Sequence, residues 1–337
     1  MNFENVSVVI PILNEEKYIK NCLDSLLSQD YPVENLEIVL VDGMSDDSTT
    51  KIVDDYLKKY NFIKLLSDPK RTVQYALNIG MKAASGKYIV RMDAHSEYAS
   101  DYISSCIKYL KDTKASNVGG PMRAFAETGR TEINADLQSA VAAAYHSDFA
   151  LGGGKNHDSS YEGFADTVFL GAFKKSDIEK LGYYDERLVR NEDDDLSFRM
   201  IENGMKIFIT PAIKSKYYPR SSYSDVFKQY FEYGMWKVAV IKKHKKPARI
   251  SHLVPMLFVA FMTIFGILSF VSKFFLFVFG AVMALYFILD FYFSFTNKNL
   301  QNLKSKFSLM LVHFVIHFSY GLGFWAGIFK FCNTKWD

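Results

Sequence analysis

Four places in the sequence combine residue types that can do chemistry. The first is Pro11-Ile12-Leu13-Asn14-Glu15, a polar turn directly after an apolar run. In the second, residues 42–49, a strand runs into Asp42, then a Gly43 turn, then an acidic and hydroxyl-rich helix start. Ser45, Asp46 or Asp47 can cap that helix. Capping does not explain Asp42, which ends the strand and can accept from an N–H of a nucleobase or from ribose hydroxyls. The third is Arg91-Met92-Asp93-Ala94-His95. Asp and His at i and i+2 after a strand can face the same way. A carboxylate with an imidazole suits Mn²⁺ or a similar divalent ion, and a turn-capping pair is the plain alternative. The fourth runs from Asn191 through Glu192, Asp193, Asp194 and Asp195 to Arg199. Stabilisation by the helix dipole accounts for Asp194. Packed carboxylates also raise one another's proton affinity, which is how a general base is tuned.

The elements that must position these groups alternate. Val6–Ile12 reads as a buried β-branched strand, and residues 16–28 have helical periodicity through Ile19, Leu23, Leu26 and Leu27. A second buried strand is expected at 36–41, a helix at 46–59 and a short strand at 62–66. A helix at 72–84 and a strand at 87–92 follow. Strands alternating with helices of this length predict βαβ units and a parallel sheet covered on both faces. Such sheets bind ligands outside the carboxyl ends of their strands, where the first three clusters fall.

Composition divides the chain. It has 337 residues, with 40 Lys and Arg against 37 Asp and Glu, 49% hydrophobic and 16% aromatic. Residues 251–337 hold six basic residues and two acidic ones, which leaves 34 basic and 35 acidic residues in the first 250. This excludes a basic nucleic-acid binder and a disordered chain, and the apolar tail excludes a fully soluble protein. Three scattered cysteines make no disulfide or zinc pattern, which implies a reducing compartment. The first apolar run is short, interrupted by Pro11 and followed by acids, so it reads as a strand and not a secretory signal.

The tail reads as membrane. Residues 252–272 carry no formal charge, 274–295 are apolar if Asp290 lies at the interface, and 307–329 form a third stretch. Each approaches the roughly 20 residues a span needs. Only Ser272-Lys273 separates the first two, which implies a tight hairpin or a re-entrant pair. Lysines and Arg249 before the first span, and Lys298, Lys304 and Lys306 between the second and third, put those loops on the cytoplasmic side. His313 and His317, four apart, suit a metal or a polar stripe packed on another helix. The expected organisation is a cytoplasmic domain at 1–224, a basic amphipathic interfacial helix at 225–250 and a multi-pass membrane domain at 251–332. The interfacial helix is read as lying at an anionic leaflet, either as a plain anchor or to deliver a lipid-linked acceptor.

Taken together, the motifs resemble those of family 2 glycosyltransferases. These are Ile10-Pro11 with Asn14-Glu15-Glu16, the segment 40–49, the segment 76–95, and 192–199. Asp-Ala-His in place of Asp-x-Asp, with Asp166 to Phe173 and Gln229…Tyr233-Gly234, resembles the membrane-associated subgroup of bacterial exopolysaccharide (succinoglycan) assembly. The resemblance implies a GT-A fold, an α/β Rossmann-like sheet with flanking helices, followed by transmembrane helices. It also implies residue roles. Asp42 would contact the nucleobase, and Pro11 and Glu15 would line the nucleoside pocket. Asp93 would contact ribose or metal, and His95 would stand at the metal position with one negative charge less. Asp193 would be the base, Glu192 would orient the acceptor, and Arg71 and Arg199 would balance the diphosphate. A divalent cation (Mn or Mg), a UDP-sugar donor, a polyprenyl-diphosphate-linked saccharide acceptor and other glycan-assembly proteins are the implied partners, at the inner (plasma) membrane.

One base and direct displacement imply inversion at the sugar carbon. A processive synthase is the first alternative, but Gln229 is followed by Tyr-Phe-Glu where such enzymes carry Gln-x-x-Arg-Trp. The second is a catalytically silent nucleotide-binding subunit of a membrane complex. The Gly152-Gly153-Gly154-Lys155 stretch lacks P-loop spacing and reads as a flexible loop on the acceptor side.

Overall fold

A computed structural model describes residues 3–126, 134–151, 154–247 and 249–336. The chain forms two compact units, Met1–Arg123 with Lys155–Tyr217, and Ala124–Gly154 with Tyr218–Asp337. Gly152 and Gly153 of the glycine stretch lie outside the described residues.

The first unit contains β1 (Val6–Ile12), α1 (Ile19–Leu27), β2 (Leu36–Asp42), α2 (Thr49–Leu57), β3 (Ile63–Ser67), α3 (Val73–Ala83) and β4 (Tyr88–Arg91). After these come β5 (Ser96–Tyr98), α4 (Tyr102–Thr113) and β6 (Asn117–Gly120). The chain then contributes α5 (Ala135–Tyr145) and α6 (Asp148–Leu151) to the second unit. It returns with β7 (Gly163–Ala165), β8 (Phe169–Lys174), α7 (Lys175–Leu181), α8 (Glu192–Glu202), β9 (Ile207–Ile209) and β10 (Ser215–Tyr217). The main sheet has the order β3-β2-β1-β4-β8-β6-β9-β7, and β10 pairs with β5 beside it. β3, β2, β1 and β4 are parallel, as expected from the βαβ alternation, and β8 enters antiparallel between β4 and β6.

Strand alternation divides the core between the two faces of this sheet. Val6, Val8, Ile10 and Ile12 pack with Ile19 and Leu23 of α1 and Leu110 of α4. Val9, Val39 and Val41 pack with Ala76, Leu77 and Met81 of α3. Fully burying each such side chain stabilises the fold by about 1.5–3 kcal/mol, so β1 and β2 are mostly apolar, with Ser7, Glu37 and Asp42 as their polar members.

Pro11 sits in a central strand, where a missing N–H should break a ladder. The ladder to β4 ends at Val9↔Arg91, whereas the ladder to β2 continues to Ile12↔Asp42. The Met92 N–H donates to the Val9 carbonyl, and the Gly43 N–H to that of Ile12. Odd residues therefore turn their main chain toward β4. Pro11 faces the β4 side only after that pairing has stopped, so the ring costs no hydrogen bond.

The second unit is helical, with α5, α6, α9 (Tyr223–His244), α10 (Val254–Leu268), α11 (Lys273–Phe295) and α12 (Leu303–Lys330). The segments Ile250–Leu268, Lys273–Phe295 and Leu303–Lys330 are long and apolar enough to cross a membrane. The first two are almost unburied within the unit, and a little under half of the third is buried. Asp290 is not left at a helix end. It is 1% exposed, with Oδ1 2.7 Å from His313 Nδ1 and accepting from Ser294 Oγ at 3.2 Å. His317 Nδ1 lies 2.8 Å from the Tyr286 hydroxyl of α11. The two histidines thus form a stripe packed on another helix.

Residues 225–250 are mostly α9, and the face expected at a leaflet is largely buried. Val226, Tyr230 and Val238 are enclosed, while Phe227 stays exposed. The reason is glycine. A Cβ at Gly234 would fall on the Tyr320 carbonyl, and one at Gly323 on that of Phe231. The two backbones approach that closely only without side chains between them. Residues 124–154 group with these helices and not with the first unit. Asp136 of α5 accepts from Asn302 Nδ2 and Ser305 Oγ, each at 3.0 Å, at the start of α12.

Candidate active site

The sheet order reverses between β1 and β4, because β2 and β3 lie on one side of β1 and β4 on the other. A parallel sheet opens a crevice at such a switch point, outside the carboxyl ends of its strands. Pro11 lies near the carboxyl end of β1 and Glu15 follows it there, Asp42 ends β2, and Asp93 and His95 follow β4.

The turns after β1 and β2 hold one another. The Asn14 N–H donates to Ser45 Oγ at 2.9 Å, that of Glu15 to Thr49 Oγ1 at 2.7 Å, and that of Glu16 to Asp47 Oδ2 at 3.2 Å. In return, Asn14 Oδ1 accepts from the Asp46 N–H at 3.0 Å, and Glu16 Oε2 from that of Ser48 at 3.0 Å. Most of the hydroxyl and acid residues in these motifs are therefore turn architecture. Asp47 also accepts from the Thr49 N–H in a local turn before α2, whose N-cap is Ser48 and not one of the three residues expected. Asp42 is buried, and its carboxylate accepts from the Ser45 N–H and from Ser45 Oγ at 2.6 Å. The carboxylate expected to serve a ligand alone also shapes the turn: Oδ1 takes both Ser45 donors, and Oδ2, which takes only the Ser45 N–H, keeps a lone pair for a second donor.

The fourth cluster reaches the crevice through Arg91. This last residue of β4 is 5% exposed and faces three carboxylates. Its Nη1 donates to Asp193 Oδ1 in a short contact, Nε lies 3.5 Å from Asp93 Oδ1, and Nη2 lies 3.9 Å from Glu192 Oε1. The Tyr184 hydroxyl donates to Asp193 Oδ1 at 3.1 Å and accepts from Arg91 Nη1 at 3.3 Å. A buried guanidinium needs such pairing, and three acids against one base leave the group negative. Burial works against the charge of Arg91, and the surrounding acids, Asp193 foremost, outweigh it and hold its pKa above the usual value.

The two adjacent acids at the start of α8 are tuned by this setting. Burial, then the charge of Asp193, pushes Glu192 up to about 8, with Arg91 opposing. Burial also raises Asp193, with Arg91 and the Tyr184 hydrogen bond opposing and Asp93 adding to the rise. The side chains differ in exposure, 9% for Glu192 and 43% for Asp193. The enclosed Glu192 therefore keeps the proton, and Asp193, bonded and partly solvated, carries the charge.

The structure brings together Glu15 and His95, with Oε1 3.2 Å from Nδ1, and it brings Asp93, Glu192 and Asp193 together on Arg91. Arg71, in the turn between β3 and α3, has left-handed backbone and donates Nη1 to the Met44 carbonyl at 2.8 Å, beside the Asp42 turn. Arg199 is held elsewhere. Its guanidinium binds Asp195 at 2.9 Å and the carbonyls of Leu181 and Tyr183 at 2.7 Å each, so it ties α8 to the end of α7. Its donors serve the fold and not a diphosphate. Arg91 and Tyr184 were not identified from sequence. A lone charge in an apolar strand was the available signal for Arg91, and Tyr184 had none.

Among the described residues, no three His, Cys, Asp or Glu side chains converge as a metal site. Asp93 and His95 offer one carboxylate and one imidazole. Glu15 on Nδ1 of His95 matches the way carboxylates orient ligating imidazoles. Two protein ligands fit a cation that takes its remaining ligands from phosphate and water.

A family model described as glycosyl transferase family 2 matches residues 7–160. Over 252 residues, 72% of this chain and 75% of the relative, the sequence is 33% identical to a protein of Methanococcus voltae. That protein is named dolichyl N-acetyl-alpha-D-glucosaminyl phosphate 3-beta-D-2,3-diacetamido-2,3-dideoxy-beta-D-glucuronosyltransferase. Over 251 residues, 74% of each chain, it is 28% identical to the succinoglycan biosynthesis protein ExoA of Rhizobium meliloti. Among solved structures, the mannosyltransferase PcManGT of Pyrobaculum calidifontis, in complex with GDP-Man and Mn2+, has the same fold. Its TM-score is 0.61 over 93% of this chain and 86% of that one, at 18% identity. A crevice at the switch point of a GT-A sheet, lined by the motif residues, and a relative that aligns across most of both sequences lead to one statement: this chain belongs to glycosyltransferase family 2 and is an enzyme of that class.

Proposed function

We propose that the enzyme moves one sugar per encounter from a UDP-sugar to a saccharide carried on a polyprenyl phosphate or diphosphate, with inversion at C1. One observation carries the reading. Of the three acids on Arg91, Asp193 alone combines a doubly hydrogen-bonded oxygen with a side chain open to solvent. That suits a base that must stay ionised and reach a hydroxyl.

In the reaction, the acceptor oxygen forms a bond to C1 as its proton passes to Asp193, and the bond from C1 to the diphosphate breaks with its electron pair. A single base on the face opposite the leaving group gives inversion. Asp42 takes the nucleobase side, with Pro11 and Glu15 along the nucleoside, and neutral Glu192 orients the acceptor. A divalent cation held by Asp93 and His95 would neutralise charge on the departing diphosphate. Support for the carrier comes from a relative: the Methanococcus voltae protein is named for a dolichyl phosphate-linked acceptor. We place the catalytic part, residues 1–224, in the cytoplasm and residues 251–332 in the plasma membrane as a multi-pass anchor, from the lysine-rich loops flanking the apolar segments. Other glycan-assembly proteins are the expected company there.

Asp193→Asn should lower turnover by about 10²–10⁴-fold and leave nucleotide binding intact. Titration of the detergent-purified enzyme with nucleoside diphosphates, with and without Mn²⁺, should select one nucleotide. His95→Ala and Asp42→Ala should weaken that binding. A wild type with no nucleotide selectivity, or an Asp193→Asn variant with normal turnover, would overturn the proposal.

A further inference from the structure

Two left-handed turns bracket the segment that leads into α8. Gly182 and Tyr183 have φ of +77° and +66°, and Asn191 has +60°. Bulky residues adopt this backbone at a cost, and it persists where the surroundings impose it. Here α3 imposes it. Asn78 is 3% exposed, its Oδ1 accepts from the Tyr184 N–H at 2.9 Å, and its Nδ2 donates to the Tyr184 carbonyl at 3.0 Å. The same Nδ2 donates to Glu186 Oε1 at 3.0 Å, and Gln74, one turn earlier, donates to the Glu186 carbonyl at 3.3 Å. The Asn78 amide thus grips the Tyr184 backbone at both its N–H and its carbonyl, as a neighbouring strand would. The clamp drives the buried Tyr184 ring under Arg91 and brings its hydroxyl to Asp193 Oδ1, the oxygen that Arg91 also contacts.

We infer that Tyr184 is a positioning residue for the base and that Asn78 acts through it, by saturating one oxygen of Asp193 and leaving the other to receive the acceptor proton. This rests on Asp193 being the base. Burial, and then the charge of Asp193, keep the Tyr184 phenol protonated, so it remains a donor throughout the working range. A hydrogen bond donated to an ionised carboxylate favours the ionised form. The clamp therefore limits how far burial can raise Asp193, and it fixes which oxygen reacts.

The test titrates full-length enzyme in detergent by difference infrared spectroscopy. The Asp193 carboxyl band is identified by its loss in Asp193→Asn. In Tyr184→Phe, which keeps the buried ring, the midpoint should move upward, by about tenfold or more in proton affinity, because hydrogen bonds to charged groups are the stronger kind. Asn78→Ala should move it the same way, and the double variant should add little. UDP release from UDP-glucose or UDP-N-acetylglucosamine, with water as acceptor, should show its acid limb displaced by the same amount. A merely structural role for Tyr184 would lower activity without moving either midpoint, and that result overturns the inference. If the midpoint stays and Asp193→Asn is inactive, only the positioning role falls. If Asp193→Asn still releases UDP at the wild-type rate, the base assignment itself falls.

Discussion

Replacing Arg91 by methionine keeps most of the side-chain volume and removes the guanidinium that three carboxylates face. At about 4 Å and an effective dielectric near 20, each unit pair is worth about 4 kcal/mol. The ionised partners are Asp93, at 3.5 Å, and Asp193, in a shorter contact. Most of that attraction offsets the desolvation of buried charges, so the net loss on removing one partner is about 3–5 kcal/mol. The variant can recover part of it by binding a proton on Asp193, already raised, and by holding the Glu192 proton to higher pH. The sign follows. A carboxylate whose folded-state affinity is raised stabilises the fold fully below its unfolded pKa, near 4, and loses that contribution as pH rises through the folded value, about 8 for Glu192. Each extra proton bound by the variant steepens that loss by about 1.4 kcal/mol per pH unit. Arg91→Met should therefore cost most at pH 8 and less at pH 6, and Arg91→Lys should fall between it and the wild type. All three tryptophans lie at 236 and beyond, in the helical unit, so their fluorescence would miss the change. Hydrogen exchange of peptides from α8 and β4, corrected for intrinsic rates, reads it locally. Equal protection in both proteins at pH 8, or a deficit that grows toward pH 6, would refute the reasoning.

Glu192→Gln should keep most turnover at pH 6–7, where Glu192 already carries its proton, and should abolish any titration near 8 in a pH profile of kcat/KM. Large loss at pH 6 would mean that the ionised form is needed. His313→Leu should lower stability in detergent by about 1–2 kcal/mol by stranding Asp290. Changing both residues to leucine should restore most of it, since a buried pair can be replaced by apolar packing; fluorescence of Trp325 on α12 follows both. Gly323→Ala should destabilise the α9–α12 packing by about 1–3 kcal/mol, because the methyl would land on the Phe231 backbone. Gly280→Ala meets nothing within 4 Å and should be neutral or stabilising; the same fluorescence melt separates the two.

How far the sequence could be read follows the range of the interactions involved. β1 is found at Val6–Ile12 as its apolar run implies, and α3 and β4 agree with the periodicity to within a residue or two at each end. Burial of a face imposes a repeat that can be counted along the chain. The helix starts were less legible. α2 begins at Thr49, three residues beyond the expected 46, because Ser45 and Asp47 are used by the neighbouring turn. Those partners are 31 residues away, and local capping rules do not see them. The buried face of α9 was hidden for a similar reason. An apolar face looks the same whether lipid or α12 covers it, and the glycines of α9 and α12 decide between them.

The four chemical clusters were legible from residue type and place, since a carboxylate at a strand end is unusual whatever surrounds it. What the sequence by itself determined was the parallel βαβ core, the strand ends that carry Asp42 and Asp93, and the apolar tail, all products of short-range pattern. The tertiary structure alone decided that Arg91 would join Asp93 to residues 192 and 193, that Arg199 would serve the fold, and that Tyr184 would reach Asp193. Those assignments depend on β4 lying beside β1 and on α8 meeting the crevice, and charges a hundred residues apart leave no periodic trace in the chain.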